Sequence, residues 1–224
     1  MKKKQFVGAV LILLSITILY GCGKPKVDES VQNVIQQIDA IGEVSLDSKG
    51  RIESVIAAYE ALTDTQKEQV ENRNKLDELS ATLYNLEKQH FLSTLDDYSF
   101  ENVNELETAM DEYWSSFNES EKETALLAFA RCSIEKAIEN KIKTYLKSPD
   151  SFNLYEFEHG MITQRGDEYS TTAKIRFGAT NSFGGEITDT VDAIIVHFTI
   201  DVANKSVDFT HLSCSTFTRW ELGM

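Results

Sequence analysis

The 224-residue chain holds only two prolines, eleven glycines, three cysteines and four histidines. So little proline and glycine excludes a collagen-like repeat or a Pro/Gly-rich linker, and three cysteines are too few for a disulfide scaffold. Basic residues are scarce as well, 22 against 36 acids, giving a formal net charge of −14. Clustered Lys and Arg are what grip a phosphate backbone, so nucleic acid is excluded as a partner, and an anionic membrane surface would repel the chain. The apolar run Phe6–Leu19, broken only by Ser15 and Thr17, is shorter than the about 20 residues a spanning helix requires. No helix-borne zinc motif, nucleophile-elbow glycine-serine pattern, phosphate-cradling glycine loop or dinucleotide fingerprint occurs. With 42% apolar side chains the chain has ample material for a folded core.

The apolar run follows Lys2, Lys3 and Lys4 and ends in Leu19-Tyr20-Gly21-Cys22. A positive segment, a short apolar segment and a small residue read as an export signal. The last four residues resemble the bacterial lipobox: an aliphatic residue three before a cysteine and a small residue just before it. The resemblance implies cleavage between Gly21 and Cys22, and a diacylglyceryl thioether on Cys22. Two or more acyl chains, at about 0.8 kcal/mol per buried methylene, are enough for stable anchoring. Residues 1–21 hold three lysines and no acid, so from Cys22 onward 19 basic residues face 36 acidic ones, a net of −17.

Helical spacing begins at residue 28. Val31, Val34, Ile35, Ile38 and Ile41 make one apolar stripe, with Gly42 expected to close the helix in a positive-φ conformation. Ile52, Val55, Ile56, Tyr59 and Leu62 make a second, Thr63 with Gln66 forms a capping-box pattern, and Leu76, Leu79, Leu83 and Leu86 make a later stripe. Ile38-Asp39-Ala40-Ile41-Gly42-Glu43-Val44, Ala58 to Asp64 and Gln66-Lys67 resemble a helical module of Gram-positive exported surface proteins. That resemblance implies a spacer or adhesion-type repeat without catalytic residues. Ile52-Glu53 and Tyr59 also align with Leu106-Glu107 and Tyr113 at an offset of 54, and Leu62, Thr63, Gln66 and Lys67 with Phe117, Asn118, Glu121 and Lys122 at 55. The alignment reads either as a degenerate second copy or as two helix pairs sharing general helix grammar.

A long helical pattern runs from Glu119 to Lys147, with Pro149 expected to end it. Tyr169, Thr171, Ala173, Ile175 and Phe177 then alternate with polar residues, the period of a strand with one buried face. Strands are expected near 152–158, 188–200 and 206–218, with Ala203-Asn204-Lys205 as a hairpin tip and Asn181 to Gly185 as a turn. Leu146-Lys147-Ser148-Pro149-Asp150-Ser151 and Asn181-Ser182-Phe183-Gly184-Gly185 resemble a small domain of bacterial exported proteins, implying architecture and an extracytoplasmic setting but no activity. Phe152-Asn153 departs from that pattern.

The expected fold is α+β: helical bundle modules, then a long helix packed on an antiparallel four-stranded sheet. The expected divisions are a signal peptide at 1–21, a tether at 22–27, a helical module at 28–90, a helical connector at 91–128 and an α+β domain at 129–224. His197 and His211 fall on adjacent expected strands with Asp192 and Asp208 near, but their spacing alone favours half-buried polar residues over a metal site. His90, His159, Asp96 and Asp97 carry no signal. Cys132 in a helix and Cys214 in a strand read either as a disulfide or as two buried thiols, and Cys132 lacks the neighbours of a nucleophile. The expected protein is a non-catalytic, lipid-anchored surface protein of a Gram-positive cell membrane, presenting an α+β head to a protein or cell-wall partner, with no cofactor or metal. The alternative is an envelope enzyme or enzyme inhibitor whose site on the C-terminal sheet draws on Tyr155, Tyr169, Trp220 and the histidines.

Overall fold

The computed structural model describes residues 28–180 and 184–221. The expected signal at 1–21, Cys22, the rest of the expected tether and the Asn181-Ser182-Phe183 part of the expected turn lie outside the described residues, as does the Trp220 side chain. The fold is α+β. Among the described residues seven helices run in order: α1 (Glu29–Ala40), α2 (Lys49–Glu60), α3 (Asp64–Lys67), α4 (Arg73–Ser93), α5 (Val103–Tyr113), α6 (Glu119–Lys143) and α7 (Ser215–Glu221). Between α6 and α7 lie β1 (Asn153–His159), β2 (Thr163–Arg165), β3 (Glu168–Thr180), β4 (Glu186–Asp201) and β5 (Ser206–Ser213). Among the described residues no helix is long and apolar enough to cross a membrane.

Two compact units divide the chain between Ala81 and Thr82, inside α4. In the first unit the stripes read from the sequence are buried: Val31, Val34 and Ile38 on α1, Ile52, Val55 and Tyr59 on α2. Asn72 and Lys75 tie the start of α4 to α1, through Asn72 Nδ2 to Ile35 O at 2.9 Å and Lys75 Nζ to Asp39 Oδ1 at 3.1 Å. Gly42 does not close α1. The helix ends at Ala40 with Ile41 already extended, and Gly42 is not in the left-handed region. Ile41 is 3% exposed, so burying this last apolar residue of the stripe draws the chain out of the helix before the glycine is reached.

Both aligned segments follow one local order. Ser45 N–H donates to Ser48 Oγ at 3.1 Å around a 3₁₀ turn that leads into α2, and Ser99 N–H donates to Asn102 Oδ1 at 2.7 Å around a 3₁₀ turn that leads into α5. Buried Ile52, Tyr59 and Leu62 stand where Leu106, Tyr113 and Phe117 stand. Thr63 with Gln66 then caps α3, and Asn118 with Glu121 caps α6, each by reciprocal bonds between side chain and backbone. The single inserted residue is taken up in the 3₁₀ turn Trp114–Ser116.

In the second unit α6 is the central element. Ala130, Ile134, Ile138 and Ile142 are fully buried with Tyr169, Ile175, Phe177, Val191, Val196 and Phe198 of the sheet in one core. A second stripe that begins nearer its N-terminus, Ala125, Leu126, Ala128 and Cys132, enters another core with Phe91, Leu95, Leu106, Met110, Tyr113 and Phe117. The sheet is antiparallel in the order β1-β3-β4-β5, and β2 also pairs with β3, so it has five strands and not the expected four. β2 escapes a period-two search because it holds only three residues, all exposed. The last strand stops at Ser213 instead of continuing to Thr218. Phe217 N–H meets Cys214 Sγ at 3.4 Å and Thr218 N–H meets Cys214 O at 3.2 Å, turning the chain into α7 with Phe217 buried in the sheet core. α6 ends at Lys143, and Pro149 opens a 3₁₀ turn rather than closing the helix.

Ile138→Ala removes a side chain with no solvent exposure from the contact between α6 and the sheet. Such truncations cost about 2–5 kcal/mol, and urea unfolding followed by circular dichroism should register a loss of that size.

Candidate functional site

Period-two alternation gives the sheet two unlike faces. On β3, Tyr169, Thr171, Ala173, Ile175 and Phe177 are buried toward α6, while Thr172, Lys174 and Arg176 are exposed on the other side. Thr171 is a polar group on the inner face, and its hydroxyl donates to Gly160 O at 3.0 Å.

The outer face is built from cross-strand pairs. Arg176 meets Glu156 at 3.0 Å and Lys174 meets Asp192 at 3.8 Å. Both pairs are exposed, so each contributes at most about 1 kcal/mol. Their effect is to fix which charge stands where. Tyr155 sits where the β1–β3 register shifts, and its ring lies across Gly178: a Cβ there would collide with the phenol oxygen. Tyr155 Oη donates to Glu186 Oε1 at 2.6 Å, with Arg176 over the ring at 5.7 Å. That bond to the Glu186 carboxylate is the main reason the Tyr155 phenol is held above its ordinary value. Farther along, Glu168 Oε2 lies 3.1 Å from His197 Nδ1, and His197 stands opposite His211 with ring centroids 6.1 Å apart.

A groove of ≈ 340 Å³ runs beside the inner face. One wall is an α6 stripe, Thr124, Leu127, Ala128 and Arg131; the other is Ile162 and Gln164 of the β2 region, with Tyr169 as floor. Arg131 closes one end by an ion pair with Asp96 and a 2.6 Å bond from Nη2 to Leu95 O. Tyr169 Oη donates to the Glu123 carboxylate. Burial first, then that bond and the Glu123 and Asp167 charges, push the Tyr169 phenol up to about 12. The arrangement offers apolar walls, one fixed guanidinium and one protonated phenol.

Among the described residues Cys132 and Cys214 are not joined. Both are free thiols: Cys132 is buried in the helical core, and Cys214 is half-buried against the sheet core. Burial raises the Cys132 thiol, with Arg131 opposing, so this cysteine is poorly suited to act as a thiolate. Asp96 and Asp97 lie in the turn Leu95–Asp97, where Asp96 holds Arg131. His90 is exposed near the end of α4, and His159 Nδ1 lies 2.8 Å from Gly160 O. Asp192 is drawn to Lys174, and Glu168 and Asp208 both stand opposite Thr199 from its two neighbouring strands. Of the two, Glu168 meets a histidine, with Oε2 3.1 Å from His197 Nδ1. Neither it nor Arg131 nor Glu123 stands out in the sequence, because each meets its partner only through the sheet register or the packing of α6. Among the described residues no group of three or more His, Cys, Asp or Glu side chains is placed to hold a metal ion.

Set against known proteins, the chain matches no family model, no curated protein and no solved structure.

Because the Tyr169 phenol is raised in the folded chain, folding favours its neutral form. The associated stability is complete below pH 10 and is lost as pH rises from there through about 12. Tyr169→Phe should abolish this alkaline loss, and absorbance titration of phenolate should show one late-ionising tyrosine fewer than in the unaltered chain.

Proposed function

We propose that this chain is a lipid-anchored, non-catalytic protein of the extracytoplasmic face of a Gram-positive cell membrane, with its α+β unit presented to an envelope or extracellular partner. The observation that carries the reading is the run from Lys2 to Cys22, a basic segment, an apolar segment too short to span, and Leu19-Tyr20-Gly21-Cys22. Two further features support it. The helical segments repeat one cap-and-stripe order with no chemistry-bearing cluster in it, as a spacer requires. The sheet keeps one face on α6 and leaves the other lined with paired charges and exposed Ile195 and Tyr155, a surface suited to a polar partner with a few apolar contacts.

The groove over Tyr169 favours a second reading, an envelope enzyme or enzyme inhibitor, since it joins apolar walls to a few fixed polar groups. Under that reading Arg131→Ala abolishes turnover or inhibition; under the first, it leaves partner capture intact.

The anchor is tested by mass spectrometry of the N-terminal peptide from the membrane fraction. A mature chain beginning at Cys22 with a diacyl thioether is expected, and Cys22→Ser should leave the precursor uncleaved and without lipid. A mature N-terminus elsewhere, or an unmodified Cys22 thiol, overturns the reading.

A further inference from the structure

The outer face of the sheet places two imidazoles and one carboxylate in a row across three neighbouring strands. β3 contributes Glu168, β4 contributes His197 and β5 contributes His211. The register fixes the row: Ser170 pairs with His197, so Glu168, two residues back along β3, shares that face, and His197 pairs directly with His211. Glu168 Oε2 lies 3.1 Å from His197 Nδ1, and the two rings are 6.1 Å apart between centroids and inclined at 55° rather than stacked.

We propose that His197 and His211 bind a divalent transition-metal ion of the zinc class, with Glu168 as the residue that positions His197. A carboxylate only accepts hydrogen bonds, so its place at Nδ1 puts the ring proton there and leaves the Nε2 lone pair for a metal. This is the usual outer contact of a metal-bound histidine. Two imidazoles sharing one zinc at Zn–N distances of about 2.1 Å have ring centroids roughly 5–6 Å apart. The observed separation therefore needs a small side-chain adjustment and no change of backbone. Nitrogen ligands select zinc, copper or nickel over calcium and magnesium, which take oxygen. His197 is half-buried and His211 exposed, so the ion keeps open positions for water. The sheet supplies the order: antiparallel pairing already holds both histidines side by side, so little backbone freedom is lost on binding.

The test is calorimetric titration of Zn²⁺ into the full chain, purified without a histidine tag. One equivalent should bind, and His197→Gln or His211→Gln should weaken binding at least tenfold. Glu168→Gln should weaken it by roughly 10–100-fold, while His90→Gln and His159→Gln leave it unchanged. Circular dichroism checks each variant's fold. Histidine ring NMR of the unaltered chain gives a measurement that needs no substitution, in which the His197 and His211 signals move on Zn²⁺ addition and those of His90 and His159 stay. Absence of saturable binding, unchanged affinity in the folded His211→Gln chain, or ring signals that move only at His90 and His159 overturns the site. Unchanged affinity in Glu168→Gln overturns the role given to Glu168.

Discussion

Everything in the second unit depends on α6 having two apolar stripes rather than one. Its N-terminal half gives Ala125, Leu126, Ala128 and Cys132 to a helical core rich in aromatic rings, where Phe91 stacks against both Tyr113 and Phe117. A second stripe, overlapping the first at Ala130 and running on through Ile134, Ile138 and Ile142, goes to the sheet. A helix that feeds two cores along its length couples them, because withdrawing it leaves both open. The asymmetry of the sheet follows from the same contact. One face must be apolar to receive α6, so period-two alternation makes the other polar, and it is there that Tyr155, Glu168, His197 and His211 are displayed.

The caps explain how the helical part is divided. A 3₁₀ turn held by a serine N–H, a helix, and a reciprocal cap opening the next helix occur twice, and the second passage has one residue more. The extra residue falls between a buried tyrosine and a buried apolar residue, where a 3₁₀ turn takes it up and both flanking residues stay buried. α4 serves both passages. Its early residues Asn72 and Lys75 belong to the bonds with α1, while Tyr84 and Lys88 reach Ser116, on the far side of α5 in sequence.

Much of this was legible in the chain itself wherever a pattern repeats. The stripes of α1, α2 and α6, the alternation of β3 and the caps at Thr63 and Asn118 each span enough residues to establish a period or a reciprocal pair. Single-residue and very short features were not. A three-residue strand gives no alternation to detect, and a glycine such as Gly42 looks like a helix stop whether or not the helix reaches it. The bend at Cys214 resembles a continuing strand because Ser, Thr and Phe suit either state. The candidate sites were harder still. The histidines were visible, but that Glu168 and Asp208 come to flank Thr199 beside them is set by register, and that Glu168 meets His197 is a side-chain contact no spacing shows; register in turn depends on bulges, one of them at Ala193 with φ 52°, that shift one strand against the next.

The outer edge beside β3 is composed of β1 and β2 end to end, with Gly160, Met161 and Ile162 between them and a register shift at Tyr155. A long straight edge is an invitation to polymerise, since each added strand exposes a fresh copy of the same open ladder. Here the ladder is cut into two pieces, the longer one kinked and carrying Glu156 and Glu158, the shorter only three residues long. A strand arriving from another molecule cannot follow this edge from end to end, so propagation into a fibre loses its template at the first step.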